Sequence, residues 1–410
     1  MNNRACKMLL FAICATLLHA GPAGRENDQQ KLAEAAGLAR QHRFLEADRA
    51  IQGVSVPPDL TQAIAFHRLR AAIDAGLKRP KESAEEMQAA LRLAPADPGL
   101  IRATAVAEMV WLDAQLKARS HPDLAASVAD LRGLEARGLQ ITGEMEALLG
   151  EAYESMGDSV SSARSFQEAM RLSPNEERFR IALAIELMRH QTYEPALAIL
   201  KQSMIDFPQS ARTRTALALT LFLSGKEREG TAQLLEAISL DPRFVPAIRY
   251  LGHIAVNQGP APEQPVVKAE CDYANAHPAD DESNTYCGAL EARLATSNPD
   301  TADWRPILHR LGLAAVRSPN SGIARCEYGK ALYETHEWTR ARRELRACVQ
   351  LDPNSVEGHY RLARVYERLG QKDRAHNELL LRAVASNRLA AANEAREQAV
   401  KGFLYTMGER

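Results

Sequence analysis

Apolar side chains recur along this chain at three- and four-residue steps, in stretches separated by short polar turns. In residues 356–389, Leu362, Val365, Tyr366 and Leu369 form an i, i+3, i+4, i+7 stripe, the pattern of an amphipathic helix. Gly370 makes the turn, and Ala375 and Leu379 are expected to face inward on a second helix. Residues 143–176 read the same way. Leu149, Gly150 and Tyr153 lie on a first helix, and Gly157 ends it, where a residue without Cβ turns freely. Ala163, Phe166, Ala169 and Met170 then recur at helical spacing. Pro174 cannot continue that helix, and Asn175 is placed to cap the next.

These helix pairs repeat with a fixed period. Pro174, Pro208 and Pro242 stand 34 residues apart, and Pro319 and Pro353 repeat the interval. Gly150, Ala184, Ala218, Gly252, Gly329 and Ala363 all fall at the eighth position of their units, where two helices approach most closely. A 34-residue period of this kind predicts stacked helix-turn-helix units. The fold class is therefore all-α, a solenoid of about ten antiparallel helix pairs.

The units resemble the tetratricopeptide repeat. That pattern has a large residue and Gly or Ala at positions 7 and 8, Tyr or Leu at 11 and Gly at 15. Ala follows at 20, a large residue at 24, Ala at 27 and Pro at 32. The unit ending at Pro174 supplies Leu149, Gly150, Tyr153, Gly157, Phe166 and Ala169, with Ser162 in place of Ala. The next supplies Leu183, Ala184, Leu187, Ala196, Leu200 and Pro208. The following one supplies Leu217, Ala218, Leu221, Gly225, Leu234, Ala237 and Pro242, with Gly230 in place of Ala. Residues 322–355 give Tyr328, Gly329, Leu332, Ala341, Leu345 and Pro353, with Cys348 in place of Ala. The resemblance implies a right-handed superhelix whose concave groove, lined by first helices, binds a protein or peptide segment.

Outside these units the pattern loosens. Residues 24–142 read as divergent N-terminal helical repeats, with units around Ala47 and Pro58, then Ala90 and Pro95, and a helical stretch out of register over 98–142. Residues 143–389 form the array, irregular at 245–321. There Pro260, Pro262 and Pro265 delay a second helix. Pro278 to Pro319 spans 41 residues, a seven-residue insertion expected as a loop over 295–303. Residues 390–410 read as a C-terminal capping helix.

Composition agrees with close helix packing. The chain has 410 residues, 46% hydrophobic but only 5% aromatic, so small side chains supply the core. The net charge of −1 lacks the basic excess of a nucleic-acid binder, and no nucleic-acid partner is expected. The first residues stand apart. Arg4 and Lys7 precede an apolar run from Met8 to Leu18, and Gly21-Pro22-Ala23 offers small residues for cleavage after Ala23, with Ala20 as a second choice. This is a signal-peptide pattern over residues 1–23. It predicts an exported chain, periplasmic or secreted, of charge −3 once two cations are removed. No segment of the mature chain is long and apolar enough to span a bilayer.

Chemistry motifs are missing. The sequence has no GxxxxGK[ST], GxSxG, HExxH or CxxC, so no catalytic, cofactor-binding or metal-binding residues are assigned and no enzyme is expected. His336-Glu337-Trp338 falls in an inter-helix turn. Two function classes remain. One is a non-enzymatic scaffold holding a protein or peptide. The other is a glycan- or polymer-binding module of a cell-envelope assembly, using Trp111, Trp304, Trp338 and the tyrosines near the C-terminal units.

Two sets of residues follow. In the family, positions 2, 5, 9, 12 and 13 of each first helix tend to face the groove. Carried onto this chain they are Ile181, Ile185, Met188, Leu219 and Phe222 in the middle units, then Arg249, His253, Lys330, Tyr333, Tyr360 and Arg364. The Lys-and-Asn clamp of chaperone-tail receptors is absent, since position 9 is Glu151, Ile185 and Leu219. The expected ligand is an amphipathic segment with an acidic end. The second set is disulfides. Cys271 and Cys287 lie equally far either side of Ala279, and Cys326 and Cys348 equally far either side of Glu337. In antiparallel helices equal distance from a turn means similar height, so bonds Cys271–Cys287 and Cys326–Cys348 are expected.

Overall fold

The computed structural model describes residues 26–118, 123–257 and 262–408. Among these residues there are twenty α-helices and no strand. The expected signal segment, residues 1–23, lies outside the described residues. The chain divides into two compact units, up to Phe179 and from Arg180 onward.

The first unit contains four helix pairs. They are α1 (Glu26–Arg40) with α2 (Phe44–Ile51), α3 (Leu60–Gly76) with α4 (Pro80–Leu93), α5 (Pro98–Lys117) with α6 (Leu124–Glu135), and α7 (Gly143–Ser155) with α8 (Ser159–Leu172). The out-of-register stretch thus forms a pair of its own. It begins where Asp97 caps the Leu100 amide at 2.8 Å, with Pro98 in the first turn, where its missing N–H costs nothing. Phe66, Leu69, Ile73, Met87, Leu112, Leu131 and Leu149 are fully buried between the helices.

The second unit begins inside α9 (Glu177–Arg189), which is followed by α10 (Tyr193–Asp206). It continues with α11 (Ala211–Leu223), α12 (Glu227–Leu240), α13 (Val245–Asn257), α14 (Gln264–Ala276), α15 (Asp281–Ser297) and α16 (Trp304–Arg317). It ends with α17 (Gly322–Glu334), α18 (Trp338–Leu351), α19 (Val356–Arg368) and α20 (Lys372–Gly408). Asn175 lies in the turn before α9 rather than at its cap. Regular first helices such as α11 and α17 have 13 residues. Helix α14 starts late, with Pro265 in its first turn.

Three expectations change. Helix α15 has 17 residues and is followed by a 3-10 turn at Pro299–Thr301. The insertion is absorbed mainly as extra helix, and Ala295, placed in a loop by the sequence, is buried. Of the cap expected over residues 390–410, the described part to Gly408 does not form a separate helix, because α20 runs unbroken for 37 residues. Leu379 is 36% exposed, whereas Ala375 and Ala385 are buried. No further helix pair follows among the described residues to cover it.

The eighth position works as the spacing implies. Ala184, Ala218 and Ala363 are fully buried. A Cβ on Gly252 would stand 2.4 Å from the Tyr286 ring, and one on Gly329 2.7 Å from Leu345. At such distances a side chain on either glycine would force Tyr286 or Leu345, or the helices carrying them, to shift. The departures from the repeat pattern also have causes. A Cβ on Gly230 would meet the Phe222 ring at 2.9 Å, and Cys348 is bonded to Cys326.

Turns between paired helices demand a left-handed residue. Gly157, Gly225 and Gly370 supply it with φ of 80°, 79° and 71°, and Lys78 stands at φ 60° in the same role. Replacing Lys78, which is exposed and has a Cβ opposing this conformation, with Gly is expected to stabilise the first unit by about 1 kcal/mol. Urea unfolding of Lys78→Gly checks it. An unchanged or lower midpoint overturns the strain argument.

Candidate partner-binding face

Successive first helices α11, α13, α15, α17 and α19 pack against one another in the second unit, so side chains at equivalent positions share a face. On α9, Ile181 and Met188 are half-buried and Ile185 is 39% exposed. On α11, Leu219 is half-buried. Met188 reaches the next first helix, where its sulfur lies 2.9 Å from the Thr220 hydroxyl. Phe222 is turned away from this face, since its ring lies over Gly230 on its own second helix.

Charged and aromatic residues follow. Arg249 and His253 are exposed on α13. Arg249 stands 3.4 Å from Glu282 and 3.7 Å from Asp280 at the start of α15. The Tyr286 hydroxyl donates to Glu282 at 3.0 Å, and burial, reinforced by the Glu282 charge, pushes its pKa up. The His253 ring meets Tyr286 edge-on at 6.4 Å.

At the far end, Lys330 pairs with Glu327 at 2.8 Å and Arg364 with Glu367 one turn on. Tyr333 packs edge-on against Trp338 at 5.2 Å. Arg361 lies 5.3 Å over Tyr333, Arg368 5.8 Å over Trp338 and Arg382 5.1 Å over Tyr360. Arg361 also donates to Glu334 at 2.9 Å and Glu357 at 2.7 Å. Burial lowers its basicity, but the Glu357 hydrogen bond and the Glu357 and Glu334 charges outweigh this and raise its pKa. Sequence reasoning passed over Arg361 and Glu334. The i, i+4 spacing of Glu357 and Arg361 carries part of that signal. Trp304 and Trp338 are half-buried against the core around Leu311, Leu332 and Leu345 rather than open at the turns.

The cysteines lie beside this face. Cys271 on α14 is bonded to Cys287 on α15, and Cys326 on α17 to Cys348 on α18, each with Cα atoms 4.9 Å apart. The first bond joins neighbouring units and the second joins the two helices of one unit. Glu291 lies near the first pair of sulfurs, but the bond leaves no thiolate there to hold a metal. Among the described residues no helix is long and apolar enough to cross a membrane.

Residues 345–377, spanning the end of α18, all of α19 and the start of α20, match the family model described as Tetratricopeptide repeat. That stretch carries a tetratricopeptide repeat. None of the curated proteins compared matches the chain. Among solved structures, the chain is similar to a tetratricopeptide repeat protein from Parabacteroides merdae, at 11% identity and a TM-score of 0.48, over 63% of this chain and 97% of that one. It is also similar to YrrB, a TPR protein with an unusual peptide-binding site, at 14% identity and a TM-score of 0.38, over 48% of this chain and 98% of that one. The Cut9–Hcn1 hetero-tetramer of the APC/C gives 12% identity and a TM-score of 0.44, over 91% and 84%. Tetratricopeptide-repeat proteins bind protein or peptide partners.

Proposed function

We propose that this protein is an exported, non-enzymatic scaffold that holds a peptide or protein segment on the first-helix face of its second unit. The observation that carries the reading is the apolar group left partly open there. Ile185 is 39% exposed, with Ile181, Met188 and Leu219 half-buried beside it. An amphipathic segment would cover that patch, and an acidic end would exchange with the surface partners of Arg249 or Arg364 at little cost, because exposed ion pairs contribute about 0–1 kcal/mol. The aromatic rings favour this over glycan binding. One face of Tyr333, Trp338 and Tyr360 is already taken by an arginine, leaving less ring surface for a sugar to stack on. Export, to the periplasm or beyond the cell, rests on the N-terminal pattern and suits a chain with two disulfides.

Ile185→Asp together with Leu219→Asp tests the site. Unaltered helical circular dichroism and near-parental melting are expected, with crosslinked partner from the native envelope reduced about tenfold or more, equivalent to about 1.4 kcal/mol. Retained crosslinking in the folded variant refutes the site. Unfolding assigns both side chains to the core. N-terminal sequencing of protein from its native compartment should begin at Gly24, and a chain beginning at Met1 refutes export by this signal.

A further inference from the structure

The second helices of the second unit carry a surface that the first-helix face does not use. Val316 and Ile205 each stand three residues before the proline closing their unit. The other units place Arg171, Ser239, Asn275 and Gln350 there. Both apolar side chains are 72% exposed, more than any other large apolar residue among those described. A single exposed Val or Ile means little, but each of these edges a cleft between successive second helices.

The two clefts are equivalent in the repeat and differ in chemistry. The one at Ile205 holds about 430 Å³, and its rim charges, Lys201 and Glu229, cancel. The one at Val316 holds about 590 Å³. Leu313 and Val316 of α16 form one wall, Arg340 and Arg343 of α18 the other, and Gly312 and Tyr328 the floor. Gly312 opens this cleft, because a Cβ there would stand 3.2 Å from the Tyr328 ring.

The charge around the larger cleft is unbalanced. Glu344 is buried and shared by Arg325 at 2.6 Å and Arg343 at 2.8 Å. Arg340 bonds both Glu337 and the Tyr328 hydroxyl. Three guanidiniums therefore face two carboxylates, and the Arg343 side chain is 71% exposed. The other arginines of helix α16, Arg305, Arg310 and Arg317, lie outside the cleft and pair with Asp303, Glu291 and Asp281, so they leave its balance unchanged. Residues 304–388 carry 16 Lys and Arg against 9 Asp and Glu, a net +7, in a chain whose net charge is −1.

We infer that the cleft between α16 and α18 is a second docking site, for an acidic amphipathic helix of a partner protein. The flanking helices have 14 residues each, roughly 21 Å of length at 1.5 Å per residue. A helix of similar length lying between them buries its apolar stripe on Leu313 and Val316. Its carboxylates meet Arg340 and Arg343, where they find the cation that Glu337 and Glu344 leave unmatched.

The test uses the full chain carrying Ile185→Asp, which silences the first-helix face and separates this surface from it. The probe is a fluorescein-labelled amphipathic helix of Leu and Glu with Leu at i, i+3, i+4 and i+7, read by anisotropy. The control is the same helix with Lys for Glu. Saturable, salt-sensitive binding of the Glu peptide alone is expected. Val316→Glu and Arg343→Glu should each weaken it about tenfold or more, while Ile205→Glu, at the equivalent cleft, should leave it unchanged. Should Val316→Glu fail to fold, Arg343→Glu at its exposed site carries the test. No saturation at about 1 mM, equal binding of the Lys peptide, or equal weakening by Ile205→Glu overturns the proposal. So does Val316-dependent binding of phosphatidylglycerol vesicles without binding of the Glu peptide.

Discussion

Replacing Cys326 and Cys348 by Ala lowers the stability of their helix pair by about 3 kcal/mol, and replacing Cys271 and Cys287 has a similar effect. The bonds close sequence separations of 22 and 16 residues, and the expectation follows from the loop entropy each removes from the unfolded chain. In a repeat array each pair rests mainly on its neighbours, so the loss should appear as early melting of the affected pairs before the rest. Reduction without substitution should reproduce most of the effect, because the thiols of Cys287, Cys326 and Cys348 stay in buried sites and Cys271 in a half-buried one. Circular dichroism melts with and without reductant, beside intact mass after alkylation, make the measurement. Four alkylated cysteines in protein from its native compartment, or melts indifferent to reductant, would show that the bonds contribute nothing.

Glu270→Gln is expected to stabilise the protein above neutral pH and flatten its pH profile. Glu270 is fully buried, with no well-formed hydrogen bond to either carboxylate oxygen, and the nearby Ser283 hydroxyl only partly offsets the cost of its charge. Burial, with the Asp280 and Glu282 charges adding to it, pushes its pKa up to about 8. The unfolded chain releases this proton near the ordinary value of about 4.3. Between that value and about 8 the folded state holds a proton that the unfolded state has lost. Stability is therefore greatest below the unfolded pKa and falls as pH rises toward the folded one. The total loss is on the order of 5 kcal/mol. Urea midpoints for both proteins from pH 4 to 9 decide the matter. Parental stability should decline across the window, up to about pH 8, while Glu270→Gln declines less and is the more stable above neutral pH. Identical slopes would place the ionisation elsewhere.

Much of the architecture was legible because the repeat leaves marks that local physics requires. Proline closes second helices, glycine takes the left-handed turn at Gly157 and Gly370, and small residues at Gly252 and Ala363 let helices touch. Where a mark is missing, the period alone guides less. No proline or glycine lies between Gln371 and Lys401, so nothing stops α20, although the period suggested an end near residue 389. The insertion before Trp304 was read as a loop because a period counts residues and does not say whether extra ones extend a helix.

The candidate face was only partly legible. Positions carried from the family give the backbone side of a residue, while packing decides where its side chain goes. Phe222 fell onto Gly230 because that glycine leaves room for a ring. The arginines over Tyr333, Trp338 and Tyr360 come from other helices, and linear spacing does not reveal such contacts. The exposed Val316 went unread as a surface residue because only its neighbours across the cleft give it meaning.

The disulfides have a mechanical consequence. A force applied to the C-terminus peels α20 and α19 and then meets Cys348. The chain between Cys326 and Cys348 cannot extend while the bond holds, which withholds a separation of 22 residues, or about 75 Å of contour length at the extended reach of a chain. The bond at Cys271 withholds 16 more, about 55 Å. Thiol oxidation thus sets how much slack the protein pays out under load, and a reducing environment turns the same chain into a longer tether.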